Sequence, residues 1–436
     1  MAFIPHKLGI GGHNSDQSEL SAHSLDLFSL PEVESSMIGG QTIKVHTTTS
    51  ITENGPYEFY IPPSDRYYTY LPLTRLECEF EIRKKDGGQL DETSEVSLCN
   101  LYSSAIFSQI ECYLNNTQVI DISSATYPYK SIIEVDLSYS KEAKETHLLT
   151  GLYLDDAEPA AIKIEESDSL KKRNKWIKKS KKVYFMTPLY LDIFQCERLL
   201  PPNVGLKLRL IKAEDSFGLI GPTNDFKISI KDLKLYVRKI EINEKLRIKH
   251  QHQISSKDMI FPYPCSTVRS YVIPSNITST QIANICRGSI PKTVIACFVS
   301  SNSYSGKIDS NPFNFQHFDL NYLLLRVNGN PIPSQAFQPD FESGKYLREY
   351  RNMVDSCGIL HDDVSNNITP KQFAKGKAYF VFDLSPDSCN GVHLHPSENG
   401  NVDIDIGFAK GNSSPIQLII YSTYNGGFIV DKNYEV

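Results

Sequence analysis

Two stretches of this chain carry the same short programme, and no other feature narrows the fold as much. The segment Phe107-Ser-Gln-Ile-Glu-Cys-Tyr-Leu114 reaches a tight turn at Asn115-Asn116 and resumes as Thr-Gln-Val-Ile120. Tyr322-Leu-Leu-Leu-Arg-Val327 reaches Asn328-Gly329 and resumes as Asn-Pro-Ile332. Asparagine and glycine tolerate the positive φ that two-residue hairpin turns demand, so each stretch reads as a β-hairpin. A helical period follows each hairpin: Tyr129, Ile132, Ile133 and Leu137 share one face, and Tyr346, Tyr350, Met353 and Val354 share another. The two turns stand about half of the 436-residue chain apart, as duplication of one β-rich domain would leave them.

Period-two alternation runs through the rest. Leu76, Cys78, Phe80 and Ile82 point one way while Arg75, Glu77, Glu79, Glu81 and Arg83 point the other, and residues 206–210, 227–231 and 402–408 repeat the pattern. Such strands bury one face, as in antiparallel sheets. Turn clusters at Lys85-Asp-Gly-Gly88, Pro201-Pro-Asn-Val-Gly205, Ser397-Glu-Asn-Gly-Asn401 and Asn425-Gly-Gly427 separate them. Many strands with such punctuation predict an all-β sandwich or barrel in each half.

The expected division is a Gly- and Ser-rich N-terminal arm over 1–38, a first β-domain over 39–245 and a second over 246–436 that includes the crossing between them. Leu191-Asp192 with 206–210 corresponds to Phe382-Asp383 with 402–408 at a shorter offset than the hairpins, so the first domain carries an extra segment. Residues 155–182 supply it. An acidic block (Asp155, Asp156, Glu158, Glu165, Glu166, Asp168) precedes a basic one (Lys171 to Lys182); a basic run with one aromatic can bind phosphate backbone or act as a nuclear address, but the pattern predicts a solvated surface loop whose blocks neutralise each other.

A net charge of −6 argues against global attraction to nucleic acid or an anionic membrane, which leaves only local contacts. The nine cysteines show no C-x-x-C spacing, and Cys78, Cys112 and Cys297 fall at apolar strand positions, the pattern of buried thiols made in a reducing compartment. No run of 18 apolar residues predicts a membrane span, and the N-terminal residues lack the pattern of a secretory signal.

Catalytic constellations are not found. Gly9-Ile-Gly-Gly12 lacks the strand before it and the Lys-Ser/Thr ending of a phosphate loop. The pairs His250/His252 and His393/His395 would each present two imidazoles if they lay on strands, as in cupin-type barrels, but neither has a third ligand at strand spacing. Tyr67, Tyr68 and Tyr70 could form a sugar-stacking platform, the basis of a rival reading as a carbohydrate-binding or adhesive β-sandwich of the viral spike or lectin kind. The expectation is a non-enzymatic protein with no catalytic, cofactor-binding or metal residues.

Further segments narrow the reading. The run Ser310-Asn-Pro-Phe-Asn-Phe-Gln-His-Phe-Asp-Leu320 before the Asn328-Gly329 turn, together with Ile290 to Ser300, resembles the second jelly roll of double jelly-roll major capsid proteins. Upstream, residues 26–36, 101–114 and 126–134, Lys212 to Phe217, and Asp192-Ile-Phe-Gln-Cys-Glu-Arg-Leu-Leu200 resemble, in order, the capsid proteins of Maverick/Polinton elements and adintovirus-like double-stranded DNA viruses. The resemblance spans 26–436. It implies two tandem eight-stranded antiparallel jelly rolls, with short helices in loops. It also implies homotrimers acting as pseudo-hexagonal capsomers of an icosahedral shell. Neighbouring capsomers, a penton or minor capsid protein, and packaged double-stranded DNA held without sequence-specific contacts would be the partners. The protein would be made in host cytoplasm, with the nucleus as an alternative place of assembly, and end in the virion capsid.

Overall fold

The computed structural model describes residues 34–119, 126–359, 364–386 and 396–436. Among the described residues, ten strands fall in the first half: β1 (Met37–His46), β2 (Tyr57–Ile61), β3 (Tyr67–Lys84), β4 (Ser97–Leu98), β5 (Phe107–Leu114), β6 (Thr117–Gln118), β7 (Val183–Pro188), β8 (Leu206–Lys212), β9 (Leu219–Ile220) and β10 (Phe226–Ile242). They make two four-stranded sheets, in the spatial orders β1-β10-β3-β7 and β2-β8-β5-β6, plus a small β4–β9 ribbon. The second half contributes β11 (Met259–Ile273), β12 (Ser279–Ser289), β13 (Thr293–Ser300), β14 (Leu320–Val327), β15 (Asn330–Phe337), β16 (Phe380–Asp383), β17 (Asn399–Phe408) and β18 (Ile416–Val430). Its sheets run β11-β18-β13-β16 and β12-β17-β14-β15.

With the ribbon set aside, each half has the same connectivity: first, eighth, third and sixth strands in one sheet, second, seventh, fourth and fifth in the other. Every strand ladder is antiparallel. That order is a jelly roll, built twice.

The alternation explains the core. On β3, Leu76, Cys78, Phe80 and Ile82 are fully buried. They lie opposite Leu235, Leu233, Ile230 and Ile228 of β10. The outward carboxylates of β3 pair with lysines: Lys234 Nζ lies 3.0 Å from Glu77, Lys231 Nζ 2.8 Å from Glu81 and Lys182 Nζ 2.6 Å from Glu79. Both expected hairpins are present, with Leu114 opposite Thr117 and Val327 opposite Asn330. Asn115 takes φ 50°, and Asn328 and Gly329 take 51° and 84°, the left-handed values such turns require.

Two expectations about local structure change. β1 begins at Met37, inside the stretch assigned to the arm; residues 1–33 lie outside the described residues. The 155–182 segment is no solvated loop, because a helix, Asp168–Ile177, docks its Leu170, Arg173, Asn174 and Ile177 onto the first roll. Arg173 is fully buried, its guanidinium 2.5 Å from the Asp156 carboxylate. Asn174 Nδ2 donates to the Val96 carbonyl at 2.7 Å. The helical spacing of Leu170, Arg173, Asn174 and Ile177 lay hidden among lysines, whose long stems cover apolar surface while their charges stay wet. The exposed cations still find acids: Lys171 pairs with Asp168 and Lys179 with Glu92.

Candidate assembly site at the seam between the rolls

The helix Tyr127–Ser138, which follows the β5–β6 hairpin, sits between the two rolls. Pro128 in its first turn pre-sets the backbone for helix. The predicted apolar face is present, but Ser131 and Val135 on the opposite side are buried as well. A helix enclosed all round must meet protein on every side. Here the second side is the second roll.

Three kinds of contact cross the seam from this one helix. Tyr129 stacks on Tyr304, with ring centroids 5.4 Å apart, and meets Phe313 and Phe315 edge-on at 5.9 and 6.4 Å. The next residue, Lys130, pairs with Glu134 and lies 2.7 Å from Asp192, and its ammonium sits 5.8 Å from the Tyr421 ring centre. The Tyr421 hydroxyl donates to Glu134 at 2.9 Å, and Ser266 donates both its backbone N–H and its hydroxyl to Asp192, at 2.6 and 2.9 Å. Near the helix end, the Asp136 carboxylate accepts from Tyr153 at 2.9 Å and Tyr379 at 2.8 Å, with Lys377 Nζ 3.4 Å away. Lys377 also pairs with Asp155. Lys144 Nζ donates to the Asp136 carbonyl at 2.8 Å and to the Asn366 carbonyl at 2.6 Å, tying the first roll to the second.

The electrostatics follow from burial. Burial alone would raise the Asp136 carboxyl, yet Lys377, Lys144 and the two tyrosine hydroxyls outweigh it and hold the group below the usual aspartate range. Burial raises Glu134, and Lys130 offsets only part of that. Burial pushes the Lys144 ammonium down to about 8; the Asp136 carboxylate offsets part of that, and the neighbouring Lys377 charge adds to it. Buried ion networks add little net stability against an apolar alternative, but a broken one is costly, so they fix register. Backbone approach is tight as well. Gly376 has φ +113°, and a Cβ there would meet Pro159 at 2.9 Å and Asn314 at 2.7 Å.

A cleft of about 690 Å³ opens beside the seam, lined by Arg75, Glu134, His147, Tyr190 and Tyr421 among others. Among the described residues, no group of three or more His, Cys, Asp and Glu could hold a metal. His250 and His252 lie on the helix Glu244–Ile254 rather than on a strand, so residues two apart diverge instead of sharing a face. His250 Nδ1 is 3.0 Å from the Tyr68 hydroxyl, a structural contact. His393 and His395 lie outside the described residues. The proposed tyrosine platform is broken by the strand pleat, which buries Tyr68 and leaves Tyr67 and Tyr70 half-buried. All eight cysteines among the described residues are free, and Cys78, Cys112 and Cys297 are buried as expected.

Sequence reasoning missed the seam charges. Asp136 was the available signal: it lies one residue before Leu137 and four after Ile132, a charge inside a helical face that is otherwise apolar.

The chain matches no family model. It is 23% identical over 416 residues to an uncharacterized protein of Caenorhabditis elegans, F54H12.2, across 92% of this chain and 97% of that one. Solved structures give the shape. The Sputnik virophage structure matches 96% of this chain and 92% of its own at TM-score 0.62 and 12% identity. The PBCV-1 virus capsid matches 91% and 96% at TM-score 0.58 and 9% identity. The Faustovirus major capsid protein matches 92% of each chain at TM-score 0.57 and 9% identity. The fold is the capsid double jelly roll. Among the described residues, no helix is long and apolar enough to cross a membrane.

Proposed function

We propose that this protein is a major capsid protein that works by assembly and carries no catalytic centre. Three copies form a pseudo-hexagonal capsomer, and capsomers tile the icosahedral shell of a double-stranded DNA virus or of a virus-like element of the Maverick/Polinton kind. The observation that carries the reading is the doubled connectivity, two jelly rolls with one strand order, locked side by side by the buried helix Tyr127–Ser138. Two similar rolls fixed at one angle let a trimer present six similar sides, and six-sided blocks cover a closed surface with few kinds of contact.

The other partners follow from that role: neighbouring capsomers, a penton or minor capsid protein at the vertices, and packaged DNA that needs no base-specific contact. A near full-length relative in a nematode suits an element carried in animal genomes. The adhesive reading loses its motivating feature, because the strand pleat breaks the tyrosine platform.

Light scattering and negative-stain electron microscopy of purified protein test the proposal. Trimers with a hexagonal outline, or sheets of them, are expected. A strict monomer at high concentration overturns it.

A further inference from the structure

The contact between the two rolls is head-to-tail. The helix that follows the fifth strand of roll one presses on the outer face of the β11-β18-β13-β16 sheet of roll two, where Glu134 meets Tyr421. Two surfaces of the same kinds stay open on the described residues. One is the corresponding helix of roll two, Leu347–Ser356, and the other is the outer face of the β1-β10-β3-β7 sheet of roll one.

The open helix repeats the closed one in chemistry. Lys130 and Glu134 form a basic–acidic pair four residues apart, each side chain 12% exposed in the seam. Arg351 and Asp355 form the same kind of pair at 2.8 Å, but at 58% and 37% exposure, and Leu347 on the preceding turn is 60% exposed. The open sheet repeats the closed one as well. Its last strand carries the outward Tyr236 as the last strand of roll two carries the outward Tyr421. Tyr236 shares the Glu77 carboxylate with Lys234 and with Tyr184, which is 56% exposed.

A head-to-tail contact leaves one unmated surface of each kind, and a second copy supplies the mate; rotation closes such a chain into a ring. We infer that the Leu347–Ser356 helix of one copy docks on the Tyr236–Glu77–Tyr184 face of the next, with Arg351 and Asp355 taking the place that Lys130 and Glu134 take in the internal seam. This rests on the capsomer reading and adds which surfaces mate. It also sets their character. The internal seam buries Val268, Ile295, Cys297 and Ile419 on the outer sheet face, whereas the open face carries Glu77, Glu79, Lys231 and Lys234. The contact between copies is therefore more ionic and more salt-sensitive than the contact within one.

Mixed disulfide trapping tests it. Tyr236→Cys and Arg351→Cys proteins are made separately, mixed and oxidised, and run on a non-reducing gel. Light scattering records the size of each protein before oxidation, and circular dichroism checks its fold. A covalent dimer that forms in the mixture and in neither protein alone is expected. Trimers in solution with no mixture-specific dimer overturn the docking inference and leave the capsomer reading standing. Wild-type protein that stays monomeric overturns both.

Discussion

Asn115 and Gly205 grip each other through two hydrogen bonds, and Asn115 makes a third beyond the pair. The Asn115 backbone N–H donates to the Gly205 carbonyl at 2.9 Å, the Gly205 N–H donates to the Asn115 side-chain oxygen at 2.8 Å, and Asn115 Nδ2 reaches beyond to the Tyr434 carbonyl at 2.7 Å. In roll two, Asn328 and Asn401 repeat the first two of these, N–H to carbonyl and N–H to side-chain oxygen, each at 3.0 Å. The turn residue of each hairpin thus also clamps the start of the strand region beside it.

That clamp sets the first expectation. Asn328→Ala loses the side-chain acceptor and must hold an alanine at φ 51°, which together cost about 2 kcal/mol. Asn328→Gly loses only the acceptor, about 1 kcal/mol. Urea denaturation of the two variants reads the difference. Equal losses would mean that the backbone conformation contributes nothing.

Lys377 at the seam gives the second. Lys377→Met leaves the buried Asp136 facing only hydroxyls and Lys144, and destabilisation of about 3–5 kcal/mol follows. Adding Asp136→Asn recovers much of it, because the orphaned charge is then gone. A double-mutant cycle by chemical denaturation measures the coupling, and simple additivity would contradict the network.

A pH effect comes from Lys144. Its ammonium is held near 8 in the folded state and titrates at about 10.4 unfolded, so between those values the unfolded chain binds more protons and this group's contribution to stability rises with pH. Buried thiols such as Cys78 and Cys112 work in the opposite sense, since burial raises them and the unfolded chain ionises first. The lysine contribution is therefore read as a difference. Wild type gains on Lys144→Met as pH goes from 8 toward 10, by on the order of 2 kcal/mol. A constant difference in melting behaviour across that range would exclude it.

The charged helix supplies the fourth. Arg173→Ala strands Asp156 in the interior and opens space beneath the helix Asp168–Ile177, costing about 3–5 kcal/mol. Lys171→Ser, at an exposed pair, changes stability by less than about 0.5 kcal/mol. Thermal melts of the two variants separate a docked helix from a solvated one.

What the chain determines locally is visible in its letters. Leu76, Cys78, Phe80 and Ile82 must share a side because strand side chains alternate, and Asn115 and Asn328 must sit in turns because few residues accept positive φ. Both rules act within a few residues, so strands, hairpins and the doubling of one domain could all be read directly. Where local period was weak, the reading failed. The spacing of Leu170, Arg173 and Ile177 is masked by lysines, so a docked helix read as a solvated loop.

The seam could be decided only by the fold. Lys130, Asp136, Lys144, Asp192 and Lys377 are scattered over more than half of the chain, and each alone looks like an ordinary surface charge. Their meaning arises when two finished rolls close on one helix, since a charge is costly or binding according to what excludes water from it and which partner it then faces. Sequence sets the alternation along each strand; water exclusion between distant strands sets the joint.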